Sequence, residues 1–169
     1  MRILNKFIKE LIPYLVIIVV VILFRTFIAT PVRVEGSSMV PTLKDGDILV
    51  LNKLSHNYKR FDIVVVSTNK SKIVKRIIGL PGENIEYKDN KLYIDGKVIE
   101  DITIEATDDF TLMELYGMNR IPDGYYFVMG DNRDGSSDSR DYRIGLIRKD
   151  NILGKTIFRL FPFNKIRTL

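Results

Sequence analysis

The chain has 169 residues, with 26 Lys and Arg against 21 Asp and Glu, giving a net charge of +5. This mild, interleaved excess forms no dense basic arm for nucleic acid, although it suits an anionic membrane surface. There are no cysteines and one histidine, which excludes a thiol nucleophile, a disulfide framework and any thiolate or multi-histidine metal site within this chain.

The first predicted element is an apolar run from Ile8 to Ala29. Its length is close to the roughly 20 residues a spanning helix needs. Its β-branched residues are apolar on every face, unlike those of a helix packed on a core. Pro13 lies near the start of the run, where a missing N–H costs little. Arg25 lies near the outer end, where it can snorkel to the headgroups. Arg2, Lys6 and Lys9 precede the run and favour a cytoplasmic N-terminus with the C-terminal body outside. No Ala-x-Ala-like cleavage site follows, so the run is expected to stay as an anchor rather than be removed as a signal peptide. The expected organisation is an anchor over residues 1–29 and an extracytoplasmic domain over 30–169.

Beyond Ala29 the periodicity changes. Val32 and Val34 alternate with Arg33 and Glu35, the pattern of a short strand. Compact β-branched runs follow at 47–51, 62–66 and 73–79. Lys91–Ile94 and Lys97–Ile99 flank Asp95-Gly96, a two-residue hairpin turn. Further strands are expected at 125–129 and 157–160, and a helical turn near Leu112–Leu115. Many short strands with Gly, Pro, Asn and Asp between them predict a mostly-β domain, with residues 83–122 as a small inserted sub-domain. Leu160-Phe161-Pro162-Phe163 fits either the end of the core or a patch that dips into the membrane.

Serine becomes a nucleophile only when a base takes its proton. The one histidine, His56, sits in a polar connection, so lysine is the base to consider. A free lysine is charged at neutral pH, and lowering its pKa takes apolar burial away from carboxylates. Lys75 meets that test best, flanked by Ile73, Val74, Ile77 and Ile78, whereas Lys53, Lys59, Lys70, Lys88 and Lys97 lie in polar or turn contexts; the same pattern also fits an ordinary strand lysine that faces water. Arg76, its neighbour, would face the opposite side of a strand. Ser38 lies in a loop, in Ser38-Met39-Val40-Pro41-Thr42. The segment from Gly130 to Arg140 is either a surface turn or a polar network that braces a site. Its glycine spacing does not fit a calcium loop.

These three stretches together resemble type I signal peptidases of the Gram-positive, single-anchor kind. Ser38–Thr42 resembles the family's Ser-Met-x-Pro-Thr nucleophile box, and Lys75-Arg76-Ile77-Ile78-Gly79-Leu80-Pro81-Gly82 its lysine box. Gly130-Asp131-Asn132 through Ser136, Asp138, Ser139 and Arg140 is similar to its third box. The resemblance covers nearly the whole chain and is thinnest over 83–122. It implies a β-rich catalytic domain of the signal-peptidase and LexA kind. Ser38 would be the nucleophile, Lys75 the general base, Ser136 the hydroxyl that orients Lys75, and Asp138 with Arg140 the structural support of the loop. The Ser38 N–H would serve the oxyanion, while Gly36 stands where some relatives carry a second, hydroxyl donor. Val32, Val34, Met39, Ile73 and Val74 would line the cleft, where a substrate joins as an added strand.

The resemblance implies no cofactor, no metal and no nucleic acid. The expected partners are exported preproteins, the lipid bilayer and the neighbourhood of the translocon, and the expected state is a monomer. The competing readings are a LexA-type self-cleaving protein, an inactive anchored relative acting as a binding or assembly subunit, and a membrane-tethered β-domain without this activity.

Overall fold

The computed structural model describes residues 2–68, 71–103 and 105–169; the side chains of Arg2, Lys6 and Lys9, and all of Lys70, lie outside the described set. The chain opens with one helix, α1 (Arg2–Leu23), which passes into a π-helical turn at Phe24–Ile28. The stretch Glu10–Ile28 has a mean hydropathy of 2.7 and none of it is buried in protein, so by length and composition it can cross a membrane. The helix starts before the apolar run does, which places Pro13 in its interior.

The remainder is mostly β, as expected. The strands are β1 (Ala29–Arg33), β2 (Ile48–Asn52), β3 (Ile63–Ser67), β4 (Lys72–Gly79), β5 (Ile85–Lys88), β6 (Lys91–Ile94), β7 (Lys97–Ile99) and β8 (Phe110–Thr111). After a short helix, α2 (Leu112–Tyr116), come β9 (Tyr125–Met129), β10 (Ile147–Arg148), β11 (Ile152–Phe161) and β12 (Arg167–Thr168). Eight strands form one sheet in the order β1-β2-β11-β3-β4-β9-β10 with β12 on β11, and four form a second in the order β7-β6-β5-β8.

Local chemistry explains the second sheet. Asp95 and Gly96 both have positive φ, the type I′ geometry that matches strand twist. Asp89 and Asn90 do the same between β5 and β6. Thr111 and Glu114 form a reciprocal capping box at the start of α2. This sheet does not close a core of its own. Ile85, Tyr87, Leu92 and Phe110 pack into one cluster with Ile78, Phe127 and Met129 of β4 and β9.

The main sheet is bent at β11. Its register shifts once against β3 and twice against β2, and each bulge adds twist and curvature. At the first shift lies Gly154, where an added Cβ would strike the Asn52 carbonyl. The curvature brings the edge strand β1 round towards β4, so that Val32 and Arg33 share one cleft with Ile73 and Val74. On its other side β4 meets β9 only at Arg76, Ile77 and Gly79. Residues 72–75 therefore keep an open strand edge among the described residues.

Candidate active site

Ser38 is carried on the turn that leaves β1. Met39 and Leu43 anchor that turn from below, packing with Val34, Leu49 and Ile63, and Leu43 N–H donates to the Met39 carbonyl at 2.8 Å. Ser38 itself is half-buried. Its carbonyl accepts from Asn132 N–H at 3.1 Å, and its own N–H donates no hydrogen bond among the described residues. Gly36, two residues earlier, has φ of 83° and gives its N–H to Asp45 Oδ1 at 2.8 Å.

Lys75 sits opposite Val64 in the β3–β4 ladder and is 3 % exposed. Burial is the main cause that lowers its pKa to about 8; Asp138 and Asp131 pull the value back up and Arg140 lowers it. Its Nζ donates to Ser136 Oγ at 3.0 Å. The expectation of a site free of carboxylates is thus modified: two are near, and both are already paired. Asp131 takes a two-pronged bond from Arg76, at 2.8 and 2.6 Å. Arg76 also donates to the Phe61 carbonyl at 2.8 Å, on the opposite face from Lys75, as strand alternation requires.

Asp138 is fully buried. Burial pushes its pKa up, but Arg140, the Gly130 N–H and the Ser136 hydroxyl together hold it below the ordinary carboxylate value. Arg140 reaches Oδ1 and Oδ2 at 2.9 Å each, and Gly130 N–H reaches Oδ2 at 2.9 Å. The Ser136 hydroxyl therefore stands between Lys75 and an ionised carboxylate. A hydroxyl that gives its proton to Asp138 keeps its lone pairs for Lys75.

Side chains missed in the sequence complete the arrangement. Asn132 Nδ2 donates to the Ser37 carbonyl at 3.2 Å, which with its own N–H on the Ser38 carbonyl staples the Ser38 turn to the third box. Gly130 is where β9 ends; a Cβ there would collide with Ser136 Oγ and the Ser38 carbonyl. Gly130 and Asn132 were within the quoted motif, but only the folded chain gives them a task. Arg159 and Asp47 had no local signal. They form a buried pair at 3.0 Å, and Arg159 also donates to the Thr42 carbonyl at 3.2 Å and the Lys165 carbonyl at 3.0 Å.

A cleft of about 320 Å³ runs beside Ser38, lined by Val32, Arg33, Glu35, Val65, Ile73 and Val74 among others. Of the residues expected to line it, Val32, Ile73 and Val74 do so. Val34 and Met39 do not: they are 2 % and 1 % exposed and belong to the core beneath the turn. His56 is exposed in the β2–β3 connection. No hydrogen bond joins Ser38 Oγ to Lys75 Nζ, and no acidic or histidine cluster suited to a metal occurs among the described residues.

Comparison with known proteins gives the family. The profile of the family described as "Signal peptidase, peptidase S26" matches residues 6–161. Signal peptidase I of Bacillus caldolyticus is 42% identical over 167 residues, covering 90% of this chain and 91% of that one. Signal peptidase I T of Bacillus subtilis is 44% identical over 168 residues, with 89% and 83% covered. Signal peptidase IB of Staphylococcus aureus is 38% identical over 181 residues, with 94% of each covered. The crystal structure of a signal peptidase I from Enterococcus faecalis superposes with a TM-score of 0.53 at 36% identity, over 59% of this chain and 96% of the other. The chain therefore belongs to the signal peptidase family S26 and is a serine peptidase.

Proposed function

We propose that this chain is a membrane-anchored endopeptidase that removes signal peptides from exported preproteins by a Ser38–Lys75 dyad, cutting after small residues in the Ala-x-Ala manner. One observation carries the reading: a buried lysine with its pKa lowered to about 8 is held by Ser136, in the loop that also grips the Ser38 turn. Neutral Lys75 takes the Ser38 proton as the hydroxyl attacks the scissile carbonyl. The Ser38 N–H, which donates to no other group among the described residues, would donate to the developing oxyanion. Lys75 then gives its proton to the departing amine; the same lysine next takes a proton from water as it attacks the ester and returns that proton to the Ser38 oxygen as the ester bond breaks, releasing the acid and restoring the Ser38 hydroxyl. The hydrogen bond between Ser38 and Lys75 closes on substrate binding, as catalytic bonds commonly do.

The open edge of β4 supports β-strand addition of the substrate. Val32, Ile73 and Val74 put apolar side chains along the cleft, a lining that suits the small apolar residues of an Ala-x-Ala site. The α1 anchor, with its N-terminus inside and the peptidase body outside, would keep the site near the surface where a translocated signal peptide presents its cleavage point. The test is cleavage of a purified preprotein by wild type, Ser38→Ala and Lys75→Ala. The wild type is expected to cut after the Ala-x-Ala site, and each folded variant to lose all but about one part in a thousand of that rate. Substantial cutting by Lys75→Ala would overturn the assigned base, and a wild type that never cuts would favour a binding subunit.

A further inference from the structure

The junction between helix and body contains a contact that the dyad does not use. An α-helix that stops leaves its last carbonyls without intrahelical partners. Here that end lies at the end of the apolar run, where unpartnered backbone is costly on the lipid side. The body supplies the partners. Lys53 Nζ, just beyond β2, donates to the Arg25 carbonyl at 3.2 Å and the Thr26 carbonyl at 3.0 Å. Thr30 Oγ1 donates to the Arg25 carbonyl at 2.6 Å, and Lys53 N–H donates to the Ile28 carbonyl at 3.0 Å. A cation at this end also opposes the negative pole of the helix dipole. Ala29 alone, in extended conformation, joins the π-helical turn to Thr30; its N–H closes on the Phe24 carbonyl and it stands opposite Asn52 in the β1–β2 ladder, so the Lys53 and Thr30 side chains brace a joint one residue long.

We propose that Lys53 is a positioning residue that fixes the height and tilt of the peptidase body over the bilayer by capping the end of the membrane helix. The inference rests on the function proposed above. A signal peptide held in the membrane offers its cleavage point at a set depth. Along the chain Ser38 follows the helix by β1 and the turn after it, so a fixed joint presents the nucleophile at a matching depth. A soluble peptide can approach the cleft from any direction and does not need the joint.

The test uses the full chain in liposomes, with wild type, Lys53→Met, Lys53→Arg and, as a control for the loss of one surface charge, Lys59→Met. Each is given a bilayer-embedded preprotein and a soluble peptide spanning the same cleavage site. Lys53→Met is expected to cut the embedded preprotein about ten-fold more slowly and the peptide at the wild-type rate. Lys53→Arg restores most of the loss, and Lys59→Met behaves as wild type. Equal loss on both substrates, or no loss on either, would overturn the proposal. A second readout does not depend on cleavage. The chain has no cysteine, so Lys88→Cys accepts a single donor dye, and energy transfer to dye-labelled lipid reports the height of the body. Lys53→Met should broaden that distance distribution. If wild type cuts neither substrate, the proposed function fails, and the distribution alone decides: broadening supports the joint and an unchanged width refutes it.

Discussion

In the proposed mechanism Lys75 supplies the base, and the same buried group carries a cost in stability. Its pKa in the fold is about 8 against an ordinary 10.5. Below about pH 8 both native and unfolded chains hold the proton, and the cost of burying the charge is fully present. Between about 8 and 10.5 the unfolded chain holds a proton that the native chain has released, so stability rises with pH across that window. The gap corresponds to roughly 3 kcal/mol at about 1.36 per unit. Two outcomes follow from this one group. The kcat/KM for preprotein should climb with pH through a limb centred about 8, since only neutral lysine accepts the Ser38 proton. Lys75→Met should be inactive yet more stable at pH 7 by about 1–2 kcal/mol, the loss of the Ser136 bond offsetting part of the gain. Urea unfolding in detergent measures this, and a Lys75→Met variant less stable than wild type would contradict the account. Ser38, Lys75 and Ser136 were legible as residue types in recognisable surroundings. Val34 and Met39 were not placed correctly: β1 ends at Arg33, so the alternation that puts Val32 on the cleft stops before Val34, and Met39 lies on the turn, where no period says which side chain faces the core.

At the scale of elements, β11 does most of the shaping. Its expected core, 157–160, was found inside a ten-residue strand because three register shifts and Gly154 interrupt the period of two. The bulges that hid the strand from pattern reading also bend the sheet around the cleft. β5 was likewise missed, although Asp89-Asn90 is a legible hairpin turn once left-handed Asp and Asn are considered. β11 also carries Arg159 to Asp47 and Thr42, a meeting that depends on β2–β11 pairing and leaves no trace in local sequence. Arg159→Met would leave Asp47 buried without its cation. Breaking such a pair costs about 3–5 kcal/mol. Arg159→Lys keeps the charge but cannot reach the Thr42, Lys165 and Asp47 oxygens together. The expected order of urea midpoints is wild type, then Lys, then Met. An Arg159→Met midpoint equal to wild type would show that the buried pair contributes nothing net.

For the molecule as a whole, the question is whether the inserted sheet is an independent unit. Its position between β4 and β9 suggests one, but its packing argues otherwise. Ile78, Phe127 and Met129 of the main sheet share a cluster with Tyr87, Leu92 and Phe110 of the insertion. Arg133, fully buried, reaches from the third box into the insertion, where Nη1 meets Tyr87 at 2.6 Å and Thr107 at 3.1 Å, and Nη2 lies 2.7 Å from Asp101. The same arginine's carbonyl holds Arg140 at 2.6 Å, so the segment that supports Ser136 is also the bolt between the two sheets. A shared core with no separable apolar interior should unfold as one cooperative unit. The chain has no tryptophan, so Tyr93→Trp in β6 and Phe158→Trp in β11 each provide a sole reporter. Their urea midpoints should coincide in the wild-type background. Arg133→Met removes the bolt at a cost of about 3 kcal/mol, and the β6 reporter should then melt before the β11 reporter. Cleavage should fall in parallel, since Asp138, Arg140 and Ser136 lose the far end of their support while no group at the cleft is altered. Separate midpoints already in the wild-type background would instead make the insertion a domain in its own right, one whose loss the site could survive.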